Sequence, residues 1–131
     1  MALGLSAAIA NDILDALANN SALTTIPVAG GLFMKLHVGD PGAAGTANAA
    51  TETTRKAVTF GTPSGGSVAN SVAVTWTSIA GSQDATHASF WDNVSAGTFV
   101  TSGTITANAY IAGDTYTVAI GAATVVFNTA A

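Results

Sequence analysis

Two histidines, His37 and His87, sit on stretches that alternate like strands, and each has a carboxylate close by in sequence, Asp40 and Asp92. Facing one another, the imidazoles with one of these carboxylates would make part of a zinc shell or an acid–base pair. The chain has only these two histidines and no cysteine, and no side chain stands out as an activated nucleophile, so neither a metal shell nor covalent catalysis is completed. The plainer reading is two rings hydrogen-bonded to loop backbone, holding the Asp40 loop against the strand that ends at Trp91. Asp40, Asn48 and Glu52 are oxygen donors for calcium, but the regular acidic spacing of a calcium loop is missing. Asp40 fits an Asx turn instead. Gly39-Asp40-Pro41-Gly42 with Gly45-Thr46 lacks the Lys-Ser/Thr ending of a phosphate loop and does not lead into a helix. No catalytic residue, cofactor or metal ligand is assigned. The aromatic residues Phe33, Phe60, Trp76, Phe90, Trp91, Phe99 and Phe127 would form a sugar-stacking platform on one exposed face. Strand alternation turns most of them inward, as core.

Ionisable groups are scarce across the whole chain: 131 residues carry three basic and seven acidic side chains, 8% charged in all. Enzymes and nucleic-acid binders work through clustered charges, so this composition points to a structural or assembly role. A net charge of −4, with Lys35, Arg55 and Lys56 as the full set of Lys and Arg, excludes nucleic acid as a partner. The absence of cysteine leaves packing and hydrogen bonds to hold the fold. The apolar share is 49%, and the mean hydropathy of +0.47 owes much to alanine. No run approaches the roughly 20 apolar residues of a membrane span, so no membrane partner is expected. Asn11, Asp12 and Asp15 interrupt the first apolar stretch and no basic leader precedes it, which argues against a secretory signal.

The length is that of one domain, residues 1–131. Leu5, Ile9, Ile13, Ala16 and Leu17 recur at helical spacing, Ser6 is a suitable N-cap and Asn19-Asn20 a suitable left-handed stop, so a helix spans residues 6–19. Leu14 widens its apolar face, so the helix needs a surface, either the sheet or another subunit. From residue 31 onward the period changes to two, with Leu32, Met34, Leu36 and Val38 alternating against Phe33, Lys35 and His37. Further strands are expected at Lys56–Phe60, Ser71–Trp76, Thr86–Trp91, Thr98–Thr106, Thr115–Ile120 and Thr124–Asn128. Gly65-Gly66, Gly113-Asp114 and Gly121 supply turns, Gly113-Asp114 fitting a tight hairpin. The fold class is mainly β, a β-sandwich or jelly-roll-like barrel with one N-terminal α-helix. The stretch 39–54 has no apolar residue larger than alanine apart from Pro41, so it is a long loop, expected to be mobile until a partner orders it.

Leu36–Asn48 (LHVGDPGAAGTAN), Glu52–Phe60 (ETTRKAVTF), Val74-Thr75-Trp76, Thr86–Asp92 (THASFWD), Gly97-Thr98-Phe99, Ser102-Gly103 and Ala112–Thr115 (AGDT) carry a likeness that covers nearly the whole chain. In them the sequence resembles a family of small structural proteins of tailed phages, common in phages of actinobacteria and labelled tail fibre, minor tail or capsid-decoration proteins. The resemblance implies a non-enzymatic virion component, assembled in the host cytoplasm, whose partners are phage capsid or tail proteins. Further copies of the chain are expected as partners too, in a trimer or other symmetric assembly. Capsid decoration that stabilises the particle is the first expectation, because fibres reach outward with long repeats or coiled coils and this chain has neither. The alternatives are a minor tail or tail-fibre-associated protein and a carbohydrate-binding adsorption module. The residues expected at the partner contact are Asp40, Pro41, Gly42, Gly45, Thr46, Asn48 and Arg55 in and after the loop, with Ile9 and Ile13 on the helix.

Overall fold

In the computed structural model, which describes residues 3–24, 31–127 and 129–130, one helix precedes eight strands. The helix α1 spans Ala7–Asn19; the Ser6 hydroxyl caps it by accepting from the Ile9 N–H, and Asn20 ends it in the left-handed conformation at φ 55°. The strands are β1 (Leu32–His37), β2 (Lys56–Val58), β3 (Ser67–Ala69), β4 (Val74–Trp76), β5 (Gln83–Trp91), β6 (Phe99–Tyr110), β7 (Tyr116–Val118) and β8 (Ala123–Val126). Six form one antiparallel sheet in the order β2-β1-β5-β6-β8-β3, and β4 pairs with β7 in a second, two-stranded sheet. β4 lies beside β2 and β7 beside β6, so the small sheet bridges the curled large one in a barrel-like sandwich.

The core fills the space between them. Met34, Leu36, Ala88 and Phe90 of β1 and β5 meet Val74, Trp76, Tyr116 and Val118 of the small sheet, all buried. Phe60 packs edge-on against Phe90 with ring centroids 5.3 Å apart, and Tyr110 lies 4.9 Å from Tyr116. Asn70 fastens the corner where the sheets part. Its Nδ2 donates to the carbonyls of Val72 and Ala119, and its Oδ1 accepts from the Ala123 N–H, each at 2.9 Å. All three side-chain bonds are made in a buried site, where a missing one would cost about 1–3 kcal/mol.

Several strand limits differ from those read off the sequence. The expected Ser71–Trp76 strand begins only at Val74, and the short β3 precedes it, made by a two-residue turn with Gly65 at φ 56° and Gly66 at φ 75°. That pair of positive angles is what a type I′ hairpin requires. β5 starts earlier and β6 runs on to Tyr110, because the two pair along nearly their full length. β8 covers Ala123–Val126, and Asn128 lies outside the described residues. Gly113-Asp114 does not close a hairpin: the Asp114 N–H donates to the Ile111 carbonyl around Gly113 at φ 90°, and β6 and β7 belong to different sheets.

Candidate functional site

β1 and β5 pair in the register Phe33↔Trp91, Lys35↔Ser89 and His37↔His87, so these six residues share the sheet face opposite the core. The loop after β1 folds back over this face. Ala50 donates to the Leu36 carbonyl and Val38 to that of Asn48, while Ala47 donates to Pro41 and Gly45 to Gly42, closing turns within the loop. Asp40 forms the Asx turn expected of it, its Oδ1 accepting from the Gly42 N–H at 2.8 Å, and Asn48 Nδ2 reaches back to the Asp40 carbonyl at 2.9 Å. Gly45, at φ 68°, sits so close to the Phe99 ring that a Cβ there would enter it. Phe99 in turn packs on Trp91, centroids 5.6 Å apart.

Under this cover lies a buried polar chain. His37 Nδ1 is 2.7 Å from the Ala47 carbonyl, which can only accept, so that nitrogen carries the proton. In the neutral ring Nε2 then accepts from the Ser89 hydroxyl at 2.8 Å, and Ser89 Oγ accepts from the Trp91 indole N–H at 2.8 Å. Burial lowers the His37 pKa, with the Lys35 and His87 charges acting in the same direction and the Ala47 hydrogen bond opposing them. Serine beside histidine is the pairing of a nucleophile and its base, but both residues are fully buried and no substrate reaches them. The chain is a fastening. His37 thus holds the loop as expected, whereas His87 does not: its Nδ1 meets the neighbouring Thr86 hydroxyl at 2.7 Å.

The second half of the loop is fastened by charge. The Arg55 guanidinium lies 3.9 Å above the Trp91 ring and Nη1 donates to the carbonyls of Asn93 and Ala96 in the β5–β6 turn. Glu52 accepts from the N–H groups of Thr54 and Ala80. Burial alone would raise its pKa, but the Thr54 side chain and these backbone donors outweigh it and hold the carboxyl below its ordinary value. Trp76 Nε1 donates to the Thr54 carbonyl and the Thr51 N–H to Gln83 Oε1.

The structure redistributes the residues expected at a partner contact. Pro41, Gly45 and Ile9 are buried within the chain, Gly45 against the Phe99 ring. Arg55 is engaged with Trp91 and two carbonyls of its own chain. Asp40 and Gly42 are half-covered, and Thr46 and Asn48 remain exposed with Ala43, Ala44, Ala47 and Ala49. The loop forms a hydrogen-bonded slab of small residues; its anchors are backbone groups and single close contacts, which composition does not reveal. Ser89 and Asn70 carried no sequence signal beyond being polar residues among apolar neighbours, and Glu52 stood out only as an oxygen donor.

The helix is held differently. Residues before it run along β6, with Ser6 donating to the Val100 carbonyl and Ser102 to that of Gly4, and Ile9 is buried. Beyond that first turn no strand runs alongside α1 among the described residues. Ile13 is half-buried, while Leu14 and Leu17 are 61% and 79% exposed and Leu23 is exposed as well. Residues 20–31, between the helix and the first strand, fall partly outside the described residues. The start of this segment folds back, the Thr24 N–H and hydroxyl donating to Asp12.

Trp76, Phe90, Trp91 and Phe99 are all buried, so the aromatic platform of an adsorption module is not assembled from them. Among the described residues no three His, Asp or Glu side chains gather where they would hold a metal ion. No described helix is long and apolar enough to cross a membrane. The described residues form a barrel-like body that presents a hydrogen-bonded slab of small residues and a helix with exposed Leu14 and Leu17. A family described as Podophage GP4 fiber I protein gp80 matches residues 4–126. The chain belongs to that family. It is accordingly a phage structural protein of the tail-fibre type and a component of the virion. No curated protein sequence matches the chain. Within the range of roles expected from sequence, the family favours the tail and fibre alternative over capsid decoration.

Proposed function

We propose that the chain is a non-enzymatic subunit of the tail, located at or beside the fibre, and that it joins its neighbours through α1 and the outer surface of the 39–54 loop. The observation that carries this reading is the family match over residues 4–126, which takes in the helix, the loop and both sheets. The geometry supports it. Among the described residues the helix meets the sheet at its first turn, and its exposed Leu14 and Leu17 offer an apolar face that a second copy of the same helix complements by symmetry. The small residues Ala43, Ala44, Thr46 and Ala49 permit close approach of another backbone. Because virion subunits repeat, modest affinity at each contact suffices to hold the assembly. Immunogold labelling of intact particles with an antibody to this chain tests the placement. Gold at the tail is the expected result, and gold distributed over the capsid surface would restore decoration as the function.

A further inference from the structure

We infer that His37 is an acid-released latch: its neutral ring clamps residues 41–49 onto the sheet, and its protonation frees them. In the neutral ring one nitrogen donates to the Ala47 carbonyl and the other accepts from Ser89, so every hydrogen-bonding site on the ring is used. The Ser89 oxygen already accepts from the Trp91 indole. A second proton on His37 would have to point at that same oxygen and force the serine hydrogen away, inside a site where Ser89 and His37 are both fully buried. The charge would also be buried without a counter-ion. The titratable groups beside the ring are Lys35, two residues back on β1, and His87, directly opposite on β5, and each repels a positive ring. β6 places the uncharged Thr104 opposite His87, and the loop offers the ring backbone carbonyls; of its carboxylate Asp40, Oδ1 accepts from the Gly42 N–H and Oδ2 is buried without a partner, and the charges that act on the ring are those of Lys35 and His87, not that of Asp40. Releasing the loop lets water reach the ring, whose free pKa is about 6.5. Release also uncovers Phe99, against which Gly45 is packed.

The sign follows from the lowered pKa of the closed form. Above about pH 6.5 both forms are neutral and the latch is at full strength. Below it the open form binds the proton more readily, so the opening equilibrium rises by up to about tenfold per pH unit until the closed form is also protonated. Hydrogen exchange at the N–H groups of Val38, Gly45, Ala47 and Ala50, corrected for intrinsic pH dependence, reads this equilibrium between pH 7.5 and 4.5. Protection at these amides is expected to fall with acid, while Ile79 and Thr106, hydrogen-bonded elsewhere, keep theirs. In His37→Gln the acid response should vanish. Lys35→Glu, a change at a half-buried position, should shrink it by bringing the closed form's pKa nearer to that of the free ring, and it serves where the glutamine variant does not fold. Loop protection in the native protein that stays constant across this range, or an acid response undiminished in the variant that folds, would overturn the latch.

Discussion

The loop over residues 39–54 and the helix α1 reverse the roles that their compositions suggest. The loop, made of Ala, Gly, Thr and Asn, has almost no apolar surface, yet it is anchored at many points by backbone hydrogen bonds, by Gly45 against Phe99 and by His37 beneath it. The helix has a broad apolar side and both caps, yet only its first turn is buried. Side-chain hydrophobicity measures how much a segment gains from a surface, not whether its own chain supplies one. Small residues let the loop backbone come close enough to the sheet to use its own polar groups. The large residues of α1 remain available for a neighbour.

Cutting the loop is the sharpest way to test this contrast. Deleting Ala43–Ala50 removes the acceptor for His37, the Ala50 packing and the cover over Phe99. Orphaning the buried ring and exposing part of an aromatic side chain should together cost about 3–6 kcal/mol, read as a large drop in Tm. A freely closing loop would instead leave Tm nearly unchanged on shortening, and that result would return the loop to the mobile class. Gly45→Val makes the same point with one residue. The positive φ and the clash with Phe99 should cost about 2–4 kcal/mol in urea unfolding. A variant as stable as the native chain would show that the slab is not seated on β6. The smallest effect on the fold is expected from Leu17→Asp, within about 0.5 kcal/mol, because the side chain is already in water. Its consequence should appear in assembly, as a shift toward monomer in light scattering and reduced incorporation into particles. An unchanged assembly would remove this face of α1 from the subunit contact.

Local periodicity was legible wherever one element answers to its own residues. Helix α1 with Ser6 and Asn20 at its ends, the alternation of β1, the Gly65-Gly66 turn and the Asx turn at Asp40 all follow from side chains within a few positions of one another. The mainly β class was legible too. The functional surface was less legible. Its partner residues Pro41, Gly45 and Ile9 proved to be interior, and Arg55 turned toward its own Trp91.

Tertiary structure decided what depends on register and on distant partners. His37 reads as half of a reactive pair until β5 brings Ser89, 52 residues away, to its Nε2 and the returning loop seals the ring from solvent. Asn70 is an ordinary turn residue until Ala119 and Ala123, from the far end of the chain, complete its hydrogen bonds. Val38, the last apolar residue in the alternating stretch, is exposed while His37 is buried, because the strand ends at His37 and the loop covers the face that alternation assigned to solvent. Sequence specifies the preferences of each segment, since these arise from neighbouring backbone and side-chain sterics. Which polar group is satisfied, and which apolar face is left uncovered, is set only when the sheet's register brings residues far apart in sequence within hydrogen-bonding distance.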